Sequence, residues 1–188
     1  MSTLNTTNIK HASSSSNNIV LASNGKVTFP QNTGNILQVV QAVKTDIFSQ
    51  SSLAANTNTA IVLSQAITPS SSSNKIKVTV NMTVGCENDN GIFGSLFRDS
   101  TQICLADANG NRQRVSSHAP TRNGDSLGNL SIVFLDSPNS TSSITYGVKI
   151  SHGSSSAKNV YVNRTDSFSN NTNIAAGVST ITLEEVAA

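Results

Sequence analysis

The sequence predicts an all-β chain: an antiparallel β-sandwich, jelly-roll-like, with an extended N-terminal arm. Three observations carry this. Residues 75–84, KIKVTVNMTV, alternate without a break: Ile76, Val78, Val80, Met82 and Val84 are apolar and every residue between them is polar. Strand side chains alternate between faces, so one wall enters a core and the other meets water; a helix would scatter the same residues around its axis. Residues 143–150 repeat the pattern, with Ile144, Tyr146, Val148 and Ile150 on one side and Thr145, Gly147 and Lys149 on the other. The rest of the chain is a series of short β-branched runs between Gly, Pro, Asn and Ser clusters, about nine strands in all, the signature of a sandwich.

Taken in order, residues 1–35 read as an arm. It holds two apolar bits, Ile19-Val20-Leu21 and Val27–Phe29, on either side of Asn24-Gly25. Asn-Gly between apolar runs is a strong hairpin signal, yet a lone hairpin is marginal in water. The arm therefore leans on its own domain, on a copy of itself or on another protein, unless it is a loose tail with accidental apolar residues. Residues 36–188 read as the sandwich. Residues 36–44 could place Ile36, Val39, Val40 and Val43 on one helical face, but their β-branched content favours a strand. A polar loop follows, then a strand over 60–67 with Ile61, Leu63 and Ile67 on one side. Strands over 92–98 and 101–105 flank Asp99-Ser100. Residues 116–128 form a polar loop, and strands over 130–136, 143–150, 160–163 and 178–186 complete the domain, the last with Ile181 and Leu183 inward.

Composition narrows the function classes. Ser, Thr and Asn make up roughly 40% of the residues. Charged residues are 12%, there is no Trp, and the net charge is +2. Such a surface is rich in hydroxyls and amides. Arg112, Arg114, Arg122 and His118 are the nearest thing to a basic patch; without interleaved aromatics or a recognition helix it does not read as a nucleic-acid site. No apolar run reaches the ~20 residues of a membrane-spanning helix, and residues 1–11 lack the apolar core of a signal peptide. Cys86 and Cys104 could pair, but two free thiols are also what a reducing compartment tolerates, and free cysteines are the favoured reading.

No constellation spells catalysis. Asp107-x-Asn109-x-Asn111 echoes a calcium loop, but Arg112 and His118 stand where Gly and Glu belong. Glu87 and Asp89 could share a cation or lie in a solvated loop. No nucleophile elbow accompanies the many serines, and Asp107, Asp125 and Asp136 assemble into a glycosidase pair only by free choice. The expectation is a non-enzymatic protein without cofactor or metal. Loops are where binding residues sit, so the candidate distal-loop set is Glu87, Asp89, Asp107, Asn109, Arg112, Arg114, His118 and Arg122, with Tyr146 or Tyr161 if either surfaces. The candidate docking set on the arm is Ile9, Ile19, Val20, Leu21, Val27 and Phe29.

Several fragments, in order over residues 36–188, resemble the C-terminal head domain of bacteriophage tail-fibre and virion appendage proteins, especially those of marine and cyanobacterial phages. They are ILQVVQAVKTDIFS (36–49), ITPSSSSNKIKVTV (67–80), LFRDST (96–101), IVFLDSPNSTSSITYGVKI (132–150), VYVNR (160–164) and STITLEEVAA (179–188). The segment NTTNIKHASSSSNNIVLASNGKVTF (5–29) resembles the short arm before such heads. The resemblance implies a virion structural protein made in the cytoplasm of a host bacterium. It implies a homotrimeric head, held on another virion protein by its arm, whose distal loops contact a host surface glycan or protein. It brings no catalytic residues; the composition already argues against a nucleic-acid partner and against membrane insertion by a helix. The chain lacks the repeats and heptads of a fibre shaft, which leaves a second expectation: a capsid decoration protein that stabilises or ornaments the shell without recognising a host.

Overall fold

A computed structural model describes residues 6–15, 17–25, 27–28, 34–88, 91–122 and 124–188. The alternating segment becomes the longest strand, β7 (Lys75–Cys86), and its inward residues Ile76, Val78, Val80, Met82 and Val84 are at most 1% exposed. Around it lies the larger sheet. Strand β11 (Gly128–Asp136) runs antiparallel along one side of β7, from Gly128 opposite Val84 to Asp136 opposite Ile76. The other side is shared end to end. There β14 (Ser179–Val186) covers Lys75 to Asn81, and β13 (Lys158–Val162) covers Val84 to Cys86. Strands β4 (Ile36–Lys44) and β5 (Phe48–Leu53) continue outward, β4 on β14 and β5 on β13.

The smaller sheet contains β6 (Leu63–Ile67), β8 (Ile92–Arg98), β9 (Thr101–Ile103), β10 (Ser117–Ala119) and β12 (Ile144–His152). Its order is β10-β8-β12-β6, with β9 beside β10 on the same flank of β8. The inward residues of β12, namely Tyr146, Val148, Ile150 and His152, are fully buried. The two sheets face each other closely: a Cβ on Gly94 of β8 would lie 2.6 Å from Leu130 Cδ1 of β11, so glycine is what lets the layers approach there. Successive strands pass back and forth between the sheets (β6 to β7 to β8, then β10 to β11 to β12 to β13), which is jelly-roll-like connectivity. The chain is an all-β antiparallel sandwich.

A third, small sheet precedes the sandwich, with order β1 (Asn8–Ile9), β2 (Ile19–Leu21), β3 (Val27–Thr28). The expected hairpin is β2–β3, with Leu21 opposite Val27 and Gly25 at φ +81° in the turn. Strand β1 adds to it through Ile9 opposite Ile19, a pairing with no apolar run to announce it.

Four expectations are corrected. Residues 45–59 hold β5, and residues 116–128 hold β10, where loops were expected; FSQSSL and SHA have little apolar alternation, and their pairing to β13 and β8 orders them instead. The strand after Ser100 stops at Ile103, because Cys104 takes a positive φ of 54°. Ile61 does not join Leu63 and Ile67 in the core: it is 41% exposed and lies outside the smaller sheet, against Gly147.

Candidate functional site

On the arm, Ile19, Val20 and Leu21 are half-buried within the small sheet, while Ile9 and Val27 are exposed. Phe29 lies outside the described residues. Four docking candidates therefore sit on neighbouring strands, β1 and β2, and Val27 on β3 beside them.

The distal-loop candidates separate into groups. Glu87, at the end of β7, is tied to β13: its carboxylate accepts the Asn159 N–H (3.1 Å) and lies 3.9 Å from Lys158 Nζ. Asp89 lies outside the described residues. Asp107 is exposed. Asn109 accepts Arg112 Nη1 through both its backbone oxygen (3.3 Å) and its Oδ1 (2.9 Å), which fixes the loop as a turn. Arg114 Nε donates to Ala106 O at 2.6 Å. Arg122 N–H donates to Ser126 Oγ, pinning the 122–126 turn. His118, on β10, is exposed and meets Phe93 of β8 edge to face, ring centroids 5.3 Å apart.

Two of these residues converge on one feature. On the outer side of the smaller sheet lies a cavity of about 420 Å³, lined by Asn56, Phe93, Asn111, Arg112, Gln113 and Val115, with Gly153 beside the ring. His118 meets the same Phe93 ring, so Arg112 and His118 belong to one locality although five residues separate them. Sequence reading missed Phe93, Gln113 and Asn56. Phe93 reads only as an outward position on a strand, and Asn56 as one more polar loop residue. Gln113 holds the floor: its Nε2 donates to Asn56 Oδ1 (2.8 Å) and His152 O (3.2 Å), and its Oε1 accepts Ser151 Oγ (3.4 Å). Neither tyrosine surfaces. Tyr146 is fully buried and Tyr161 is 7% exposed.

Among the described residues no buried side-chain nitrogen or oxygen lacks a hydrogen-bond partner, and three buried groups tie strands together. Asp136 receives Tyr146 Oη (2.7 Å) and Arg98 Nη1 (2.9 and 3.1 Å). Glu185, facing inward on β14, receives Gln38 Nε2, Ser70 N, Ser70 Oγ and Asn74 Nδ2. Burial pushes its carboxyl up, but the hydrogen bonds from Asn74, Ser70 and Gln38 outweigh that and hold it below the usual carboxylate value. Fully buried His152 meets Leu53 O through Nε2 (2.9 Å) and accepts Ser154 N–H at Nδ1 (3.2 Å). Among the described residues no three His, Cys, Asp or Glu side chains cluster as a metal site would require.

The outer face of the larger sheet is different in kind. Registers across β4, β14, β7 and β11 align Val39, Glu184, Lys77 and Leu135 in one row and Gln41, Thr182, Thr79 and Val133 in the next. The middle of the face is polar, with a Lys77–Glu184 ion pair at 2.6 Å. Its two rims are apolar: Ile36, Val39 and Val43 on β4 are 54–56% exposed, and Val133 and Leu135 on β11 are 65% and 49% exposed. Both are edge strands of the sheet.

No protein-family model and no curated protein sequence matches the chain. Among solved structures it is similar to that of the infectious bursal disease virus Gx strain, at 13% identity and a TM-score of 0.42, covering 87% of this chain and 40% of that one. The infectious bursal disease virus VP2 subviral particle gives the same figures. The Gt strain structure gives 14% identity and a TM-score of 0.40, over 87% and 41%. The chain thus spans about two fifths of the proteins it matches in structure.

Proposed function

We propose that this chain is a non-enzymatic structural protein of a bacteriophage virion: a β-sandwich head that assembles as a homotrimer, held on another virion protein by its N-terminal arm. The observation that carries the assembly is the pair of apolar rims on opposite edges of one sheet. A two-fold contact through one sheet edge would cover the β4 rim or the β11 rim and leave the other bare, whereas a two-fold stack of the outer faces would cover both and give a dimer. A head-to-tail contact, β4 of one copy against β11 of the next, uses both rims in each interface and gives a closed trimer when each copy is turned by a third of a circle from the last. It also covers two edge strands that would otherwise invite unspecific pairing. Burying each half-exposed Val, Ile or Leu contributes on the order of 1 kcal/mol. The number three, the virion location and the host contact rest on the sequence resemblance to appendage heads. The non-enzymatic part is supported by Asp136 and Glu185, whose carboxylates are committed to strand-holding hydrogen bonds.

The test is the native mass of the full chain, of a β4-rim variant (V39K/V43K) and of a β11-rim variant (V133K/L135K). A mass of about 59 kDa, three times the 19.6 kDa chain, is expected for the wild type, with both variants monomeric. A monomeric wild type removes the assembly reading. The decoration alternative separates by binding: a purified protein that stabilises capsids and ignores host cells favours it over a host-contacting head.

A further inference from the structure

We propose that the cavity on the outer side of the smaller sheet binds an acidic saccharide, a mono- or disaccharide unit bearing a carboxylate. Its volume of about 420 Å³ lies in the size range of small-molecule sites. Its lining has the two surfaces a sugar ring needs. One is apolar and flat: the Phe93 ring, continued by Val115, against which the C–H face of a pyranose packs. The ring is held in place from two directions. His118 meets it edge to face, and Gly153 leaves room for it, since a Cβ there would lie 2.9 Å from Phe93 Cζ. The other surface consists of amides, which both donate and accept and so suit vicinal hydroxyls. Asn56 and Asn111 are exposed lining residues, and Gln113 is fixed by its bonds to Asn56, His152 and Ser151. A floor ordered before binding spares the ligand the entropy of ordering it.

The acidic preference comes from Arg112. Its Nη1 is held by Asn109, while its other nitrogens have no hydrogen-bond partner among the described residues. No described carboxylate lies within ion-pair distance of Arg112 or of neighbouring Arg114. A planar guanidinium without a carboxylate partner, at the rim of an aromatic-and-amide cavity, takes a carboxylate with two parallel hydrogen bonds. The proposal deepens the host-contact reading of these loops but does not depend on a trimer or a virion: failed assembly would leave the cavity intact, and failed binding would leave the rims intact.

The experiment uses the full ¹⁵N-labelled chain, titrated with digalacturonate, with 3′-sialyllactose, and with the uncharged dimethyl ester of digalacturonate. At least one acid is expected to shift the backbone amides of Asn111, Gln113, Val115 and Gly153 in the millimolar range, with the ester weaker. R112Q, an exposed substitution that spares the core, is expected to weaken the acid by about tenfold or more and to leave the ester unchanged. F93A is expected to weaken both. K75Q, on the opposite sheet, is expected to change neither. No shift from either acid at about 20 mM, where a millimolar site is nearly saturated, would overturn the proposal. Undiminished acid binding by R112Q would do so too, as would an aspartate-rich peptide occupying the same amides more tightly than both sugars.

Discussion

Replacing Glu185 by Gln tests how the C-terminal strand is locked. Glu185 is 1% exposed, and four donors converge on its carboxylate: Asn74 Nδ2 and Gln38 Nε2 at 2.6 Å, and Ser70 N and Oγ at 2.7 Å. These come from β4 and from the turn before β7, so one side chain ties β14 to both. Gln38 also reaches Thr68 O, and Asn74 Oδ1 accepts the Ala188 N–H. A Gln at 185 keeps one acceptor and points an NH₂ at groups that are themselves donors. Each charge-assisted bond contributes roughly 1.5–3 kcal/mol net, and the four are not additive. A loss of about 3 kcal/mol is therefore expected, at the lower end for breaking a buried charged cluster. With m near 2 kcal/mol/M, the urea midpoint falls by about 1.5 M at unchanged m. The pH dependence has a definite sign. The folded pKa is depressed below the ordinary 4.5, so the carboxylate's contribution is complete above the unfolded value and lost as pH falls through the folded one. The gap between wild type and E185Q should be flat from about pH 8 to pH 6 and close progressively below about pH 4.5. Urea melts at fixed protein concentration measure both. A loss under about 0.5 kcal/mol, within ordinary surface noise, or a gap unchanged down to about pH 3, would refute the clamp.

Two further substitutions and a thiol titration probe the rest of the interior. R98A leaves the Asp136 carboxylate with Tyr146 as its remaining side-chain partner and should cost about 3 kcal/mol, more than Y146F, which removes one hydrogen bond for about 1–2 kcal/mol; equal losses in urea melts would contradict the network. Cys86 is 1% exposed, and burial, with the Glu87 charge second, pushes its thiol up to about 11. A thiol reagent at neutral pH should therefore react at half-buried Cys104 and reach Cys86 only in denaturant; native reaction at both would be inconsistent with that burial.

How much was legible follows from which elements solve their own burial. Strands β7 and β12 alternate so strongly that their faces, and nearly their ends, read directly from the residues. In β14 the same alternation made Ile181 and Leu183 inward. Carried two positions further, it buries Glu185, a placement that no apolar count suggests and that depends on Gln38, Ser70 and Asn74 converging from elsewhere. Strands β5 and β10 could not be read, because FSQSSL and SHA hold their places through partners distant in sequence. The cavity was half legible. Arg112 and His118 stood out as polar residues in a loop-rich stretch, but Phe93 becomes part of it only when β10 lays His118 opposite Phe93. The apolar rims are also a product of pairing: Val133 and Val39 are unremarkable in sequence until β11 and β4 become opposite edges of one sheet.

The most direct measurement is the native mass of the full chain at micromolar concentration, beside that of a chain lacking residues 1–33, which keeps Gly34 and Asn35 on Ala187. We expect a trimer from both, with the sandwich rims as the assembly surface and the arm left over for docking. A trimer from the full chain alone would move assembly to the arm. A monomer from both would contradict the account.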